Sequence, residues 1–229
     1  MDGADAGLSA WIEALAWVAA LAVLAWAARG PWRERYEGEA GAGPRRVLLA
    51  ATLATMSLRW FNTAALQGVE LHFLGATIAT LMFGARAACG MMALASLAGL
   101  LFGAAWQGSW PADFLVTCVL PVAVTVLVGM AATRWVPANV FTYVMANAFG
   151  AGALAMAASS LAKAAMAALL GGPGAAFGGP AAAYLGATPL LMFGEAFLSG
   201  GIMVLVAVYR PHWCLSFDDR TYLGPGRQM

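Results

Sequence analysis

One imidazole stands at the edge of a long apolar segment: His72, in Gly68-Val-Glu-Leu-His72-Phe-Leu-Gly75-Ala-Thr-Ile-Ala-Thr-Leu-Met-Phe-Gly84. A neutral imidazole is a nitrogen donor for transition metals, and ionisable groups inside hydrophobic segments mark ligand or ion sites. On a helix beginning near Leu71, positions 72, 75, 76 and 79 share a face, so His72 looks along a strip of Gly75, Ala76 and Ala79. Such a strip admits a neighbouring helix or an inserted segment close to the ring. Glu70 supports His72 only if the helix starts after it. The competing reading is a histidine at the membrane interface, hydrogen-bonded to a neighbouring helix.

Other polar residues fall at membrane depth. Glu195 lies in Phe193-Gly-Glu195-Ala-Phe-Leu-Ser199-Gly-Gly201, and Arg59 lies in an earlier apolar run. A mutual salt bridge between them is the expected use, with a negative charge beside a cation path as the functional one. Asn147 and Asn62 are amides suited to cross-helix hydrogen bonds. Ser159, Ser160 and Lys163 form a polar helix end, where Lys163 is expected to snorkel to the interface. The chain's 12 methionines scatter without an MxxM pattern and read as gap-filling core. Cys89, Cys118 and Cys214 have neither a CxxC spacing nor a neighbouring histidine. With Lys163 as the single lysine, no GxxxxGK[ST] phosphate loop is present. Ser199 lacks the preceding glycine of a GxSG protease site.

The elements that must carry these residues follow from composition. The 229 residues are 62% hydrophobic and 10% charged, with a mean hydropathy of +0.77, far from soluble usage. The apolar runs are continuous rather than alternating, which favours helices over a β-barrel. The expected fold is an all-α transmembrane bundle forming one domain over residues 1–229. Apolar windows near the roughly 20 residues that cross a bilayer lie at about 8–28, 47–66, 113–134, 139–163 and 186–209. Residues 71–105 break near Gly84-Ala-Arg86 and read as two shorter helices, about 71–85 and 88–105, or as a re-entrant pair. The first run looks like a retained span, because the acidic start is unlike a secretory leader.

Seven spans segregate the charges. Arg29, Arg33, Arg35, Arg45, Arg46, Arg86, Arg134, Arg210, Arg220 and Arg227 then share one side, which the positive-inside rule makes cytoplasmic. The amino terminus is outside, 29–46 is a cytoplasmic loop, 210–229 a cytoplasmic tail, and the Gly- and Pro-rich 171–185 a flexible outer loop. No basic patch with interleaved aromatics suggests a nucleic-acid partner.

Several stretches, in order, resemble a known family. These are Leu71-His72-Phe-Leu-Gly75-Ala-Thr, Leu81-Met-Phe-Gly84, Asn147-Ala-Phe-Gly150-Ala-Gly-Ala-Leu-Ala, Glu195-Ala-Phe-Leu-Ser-Gly-Gly and Val208-Tyr-Arg-Pro211-His-Trp-Cys-Leu-Ser-Phe-Asp-Asp219. From about residue 45 to 223 the chain resembles the membrane substrate-capture permeases of energy-coupling factor ABC transporters, cobalt and nickel branch. The resemblance implies capture of divalent cobalt or nickel, with a transmembrane coupling subunit and two cytoplasmic ATPases as partners in a bacterial inner membrane. It implies that His72 is the ligand histidine. It also implies that the amino-terminal peptide folds into the bundle, its amine and a second-residue histidine completing a near-planar nitrogen site. Position 2 here is Asp2. An oxygen from Asp2 or Glu70, a changed substrate, or a different start of the protein would account for that.

The expected donors are therefore His72, the Met1 amine, Asp2 and Glu70, with Glu195, Asn147, Arg59 and Asn62 lining or bracing the cavity. The chain is expected to be a transporter subunit without its own ATPase site, not an enzyme. Two other readings compete: a non-transporting anchor or assembly subunit of a metal or redox complex, and an intramembrane enzyme pairing His72 with Glu195.

Overall fold

The structure is a computed structural model that describes residues 3–37, 41–60, 63–66, 69–71, 73–101, 109–137, 139–170 and 179–217. It is an all-α membrane helical bundle. Its helices are α1 (Gly3–Ala28), α2 (Trp32–Tyr36), α3 (Ala42–Trp60), α4 (Ala76–Phe83), α5 (Ala85–Leu101), α6 (Trp110–Phe114), α7 (Leu120–Trp135), α8 (Val140–Thr142), α9 (Ala151–Leu170) and α10 (Pro180–Tyr209). A short antiparallel hairpin, β1 (Thr63–Leu66) with β2 (Val69–Leu71), stands between α3 and α4.

Two of the long helices are continuous through wider, π-helical turns. Leu115–Val119 joins α6 to α7, and Tyr143–Gly150 joins α8 to α9. The first lies directly before Pro121, which has no N–H to donate and whose ring crowds the carbonyl four residues back; a widened turn relieves both problems. Among the described residues, four helices are long and apolar enough to cross a membrane: Ala10–Ala28, Trp110–Trp135, Val140–Leu169 and Pro180–Tyr209. Helix α3 has comparable length but carries Arg45, Arg46 and Arg59, and α5 is shorter. Small residues let α9 lie close along α10. A Cβ on Gly152 would stand 3.1 Å from the Glu195 carbonyl oxygen, and one on Gly200 would run into the Phe149 ring. Backbone approach of this kind is how helices associate without a hydrophobic force between them.

The region around residue 72 departs from expectation. The helix expected over 47–66 ends at Trp60, and the chain turns into the hairpin. The helix expected from Leu71 begins at Ala76 instead, because Leu71 belongs to β2 and Gly75 sits at φ 65°, outside the right-handed region. Of the expected face, Ala76 and Ala79 lie on the helix and Gly75 precedes it, while His72 lies outside the described residues. Helix α4 has eight residues, about 12 Å at the usual rise, well short of a bilayer core. Gly84 at φ 84° separates it from α5. Nearly every α4 side chain is buried in the core that it shares with α5, α7 and the Tyr143–Gly150 turn.

At the chain's other end, part of the expected loop is helical: α10 begins at Pro180, whose missing N–H costs nothing at a first helical position. Residues 171–178 lie outside the described residues. Of the expected tail, residues 210–217 are among the described ones. Past α10 they form a single 3-10 turn, Pro211–Trp213, and pack against α4.

Gly75 and Gly129 give a test of the α4 junction. A side chain at Gly75 must adopt a left-handed backbone, costing about 1–2 kcal/mol, while a Cβ at Gly129 meets nothing within 4 Å. Gly75→Ala should lower the thermal unfolding temperature of the purified protein in detergent, and Gly129→Ala should leave it unchanged or raised.

Candidate metal-capture site

The carboxylate of Glu195 faces the backbone that precedes α4. Its Oε2 accepts the Leu74 N–H at 2.9 Å and its Oε1 accepts the Gly75 N–H at 2.9 Å. Glu195 is 0% exposed, so its oxygens depend on these donors rather than on water for their hydrogen bonds. Both N–H groups stand at the start of a helix, where donors have no intrahelical partner and the peptide dipoles favour an anion. Alongside, Phe73 lies against Gly194, where a Cβ would come 2.6 Å from its ring. The sequence Phe193-Gly-Glu195 thus supplies a slot for a ring and an acceptor for two amides one residue apart. The segment 73–75, which directly follows His72 in the chain, is docked on α10 through three successive residues.

His72, Met1, Asp2 and Asn62 lie outside the described residues. Glu70 lies in β2, with its backbone alone described. Among the described residues, no group of three or more His, Cys, Asp or Glu side chains converges to hold a metal.

The expected Arg59–Glu195 salt bridge is not formed. Arg59 pairs with Asp113: its Nη2 is 3.0 Å from Oδ2, and its Nη1 donates to Thr117 Oγ1 at 3.2 Å and contacts Cys118 Sγ at 3.7 Å. Thr117 Oγ1 in turn donates to the Asp113 carbonyl at 2.9 Å. Lys163 does not snorkel. It is 5% exposed, its Nζ stands 3.9 Å from Asp113 Oδ1, and it lies 5.7 Å from the Tyr184 ring centroid. The physical reason is depth. Arg59 ends α3 and Asp113 lies near the start of the Trp110–Trp135 helix, so the two meet near helix ends, whereas Glu195 sits in the middle of α10 where main-chain donors are nearer.

Asn147 does not make the expected cross-helix bond through its carbonyl. Its Oδ1 is buried and has no hydrogen-bond partner among the described residues. The three cysteines are buried and free. Both Glu195 oxygens accept from main-chain amides, and the expected enzyme pairing of Glu195 with His72 involves a residue outside the described ones.

Sequence reasoning missed Asp113 as the partner of Arg59 and Lys163. Its position next to the Trp110-Pro111 turn, at the boundary of an apolar run like Arg59, was the available signal.

Replacing Glu195 tests the docking. Glu195→Ala leaves two buried amides unsatisfied, each worth about 1–3 kcal/mol. Glu195→Gln keeps one acceptor but turns its NH2 toward the other amide. Both variants should unfold at lower temperature than the parent in detergent, alanine by more; a Glu195→Gln protein as stable as the parent would contradict the two-amide arrangement.

A solved structure titled as that of a truncated transition metal transporter shares this fold. The TM-score is 0.65 at 18% identity, covering 87% of this chain and 93% of that one. No curated protein matches the chain. The family described as the cobalt uptake substrate-specific transmembrane region matches residues 4–213, a stretch that includes His72, the hairpin, α4 and Glu195. The chain therefore belongs to the cobalt uptake substrate-specific transmembrane region family, CbiM.

Proposed function

We propose that this chain captures a divalent transition-metal ion, cobalt first and nickel second, as the substrate-specific membrane component of an energy-coupling factor importer. The observation that carries the reading is the docking of residues 73–75 on Glu195, inside a membrane bundle whose family serves cobalt uptake. A ligand histidine needs a rigid support to hold its geometry, and the residue after His72 is where that support begins.

His72 is the central donor in this reading, with the Met1 amine and a carboxylate from Asp2 or Glu70 completing the set. A carboxylate in place of a second imidazole removes the all-nitrogen plane that suits nickel, since ligand type and geometry select among these metals. That substitution favours cobalt. Glu195 and Asn147 brace the bundle beside the site. The Arg59–Asp113–Lys163 cluster fixes α3, the helix from Trp110 and α9 around it.

The chain crosses a bacterial inner membrane with its amino terminus outside. Residues 71–101 count as two elements of a seven-crossing arrangement, α4 reaching only part of the way. The arginines of 29–46 and the carboxyl-terminal segment face the cytoplasm. There a transmembrane coupling subunit and two ATPases supply the energy and force release, since the chain has no nucleotide-binding loop of its own.

Cobalt(II) and nickel(II) titrations by calorimetry on the purified protein test this. His72→Ala should abolish binding of both ions while the helical circular dichroism and unfolding temperature stay those of the parent. Unchanged affinity in the variant would refute the assignment.

A further inference from the structure

Helix α4 is fastened at both ends by groups from distant parts of the chain. At its start, Glu195 holds the Leu74 and Gly75 amides. At its end, the carbonyls of Leu81 and Met82, which have no onward helical partner, are taken by the segment after α10. Leu215 N donates to Met82 O at 3.0 Å and Ser216 N to Leu81 O at 3.1 Å. Ser216 Oγ also donates to Leu81 O at 2.8 Å, and Cys214 Sγ lies 3.3 Å from the same oxygen. Tyr143, 0% exposed, ties this segment to the core. Its hydroxyl is 2.6 Å from Ser216 Oγ and 3.0 Å from Cys214 Sγ, and its ring meets Phe217 edge-on at 5.0 Å.

The two glycines at the ends of α4 are the places where it can pivot. Gly75 and Gly84 both hold positive φ, and Gly84 leaves room for Leu215, whose Cδ2 would lie 2.9 Å from a Cβ there. Between them the helix is short, buried and internally hydrogen-bonded. Such a segment moves as a unit within close-packed surroundings, because packed cores shift between discrete arrangements rather than deforming smoothly. Its side-chain bond to a neighbouring helix, Thr77 Oγ1 to Thr125 Oγ1 at 3.0 Å, lies near the Gly75 end and guides such a shift without fixing the far end.

We propose that Tyr143, Cys214 and Ser216 are positioning residues for the metal site, acting through α4: they set where α4 sits along its axis, and with it how residues 73–75 seat on Glu195. This deepens the proposed function and rests on it only for what binds at the Gly75 end. Coupling of this kind is reciprocal. An occupied site tightens the carboxyl-terminal strap, and displacing the strap loosens the site, which is the step that a cytoplasmic partner must cause for release.

The test uses the full-length protein in detergent, with amide hydrogen exchange read by mass spectrometry and cobalt(II) affinity by calorimetry. Tyr143→Phe removes one hydroxyl and keeps the ring; Ser216→Ala is a milder change should the first fail to fold. Either should speed exchange over 73–76, and Glu195→Gln should speed it over 214–217. Thr133→Ala removes an exposed hydroxyl bonded to Met130 O and should change neither. Tyr143→Phe should weaken cobalt binding about tenfold, and saturating cobalt should slow exchange over 214–217 in the parent protein. Unchanged exchange over 73–76 in both strap variants, with cobalt affinity within about twofold of the parent, would overturn the proposal. If exchange couples in both directions while the parent binds neither cobalt nor nickel, the proposed function fails and the link through α4 stands. If the parent binds metal and the two ends respond independently, the link fails and the function stands.

Discussion

A buried carboxylate holding two main-chain amides is the constraint on which this structure turns. Burying a carboxyl group with no donors for its oxygens is expensive. Glu195 instead meets two N–H donors that need an acceptor themselves, at a helix start whose dipoles favour negative charge. Each party satisfies a need of the other. Non-helical backbone at membrane depth is tolerated where protein supplies its hydrogen bonds, so this carboxylate is what permits the chain to run from a hairpin through Phe73, Leu74 and Gly75 into the bundle. Without it, residues 71–85 would be under pressure to form the uninterrupted helix that their hydropathy suggests.

The remaining polar groups divide between two ends of the same bundle. Asp113 gathers Arg59 and Lys163 from two other helices, so a charge that would be costly alone becomes a junction of three chain segments. Two cations around one carboxylate fix helix positions more firmly than one pair would, since each partner restricts the other's rotamers. At the opposite end of α4 no charge is involved. Hydroxyl, thiol and main-chain groups of Tyr143, Cys214, Ser216 and Leu215 close the orphaned carbonyls. Close packing at Gly152 and Gly200 holds α9 and the Tyr143–Gly150 turn against α10.

Membership of a cobalt uptake family gives these features a common purpose. A captured ion must be held firmly enough to be selected and loosely enough to be released, which requires a donor-bearing segment that is supported yet movable. In the proposed function, the short helix α4, with a positive-φ glycine and a separate fastening at each end, is given that character. In the proposed function, Asp2 stands where the family resemblance implies a histidine, so a carboxylate would take the place of a nitrogen donor.

The all-α membrane class was legible in the sequence because it depends on totals: continuous apolar runs must bury their backbone groups by forming helices, whatever their neighbours are. Family resemblance was legible for the same reason, since the motifs around His72, Asn147 and Glu195 are linear. The break at Gly84 could also be read, because a glycine beside an arginine interrupts hydropathy locally. What the linear chain did not determine was which polar group meets which. Arg59 and Glu195 looked like natural partners by charge, and only depth and packing assigned Asp113 to one and a pair of main-chain amides to the other. Backbone donors carry no signature in a sequence, so neither the late start of α4 at Ala76 nor the capture of its last carbonyls by residues beyond α10 was visible there. Both depend on contacts between segments more than a hundred residues apart, and contacts of that kind exist only once the chain has folded.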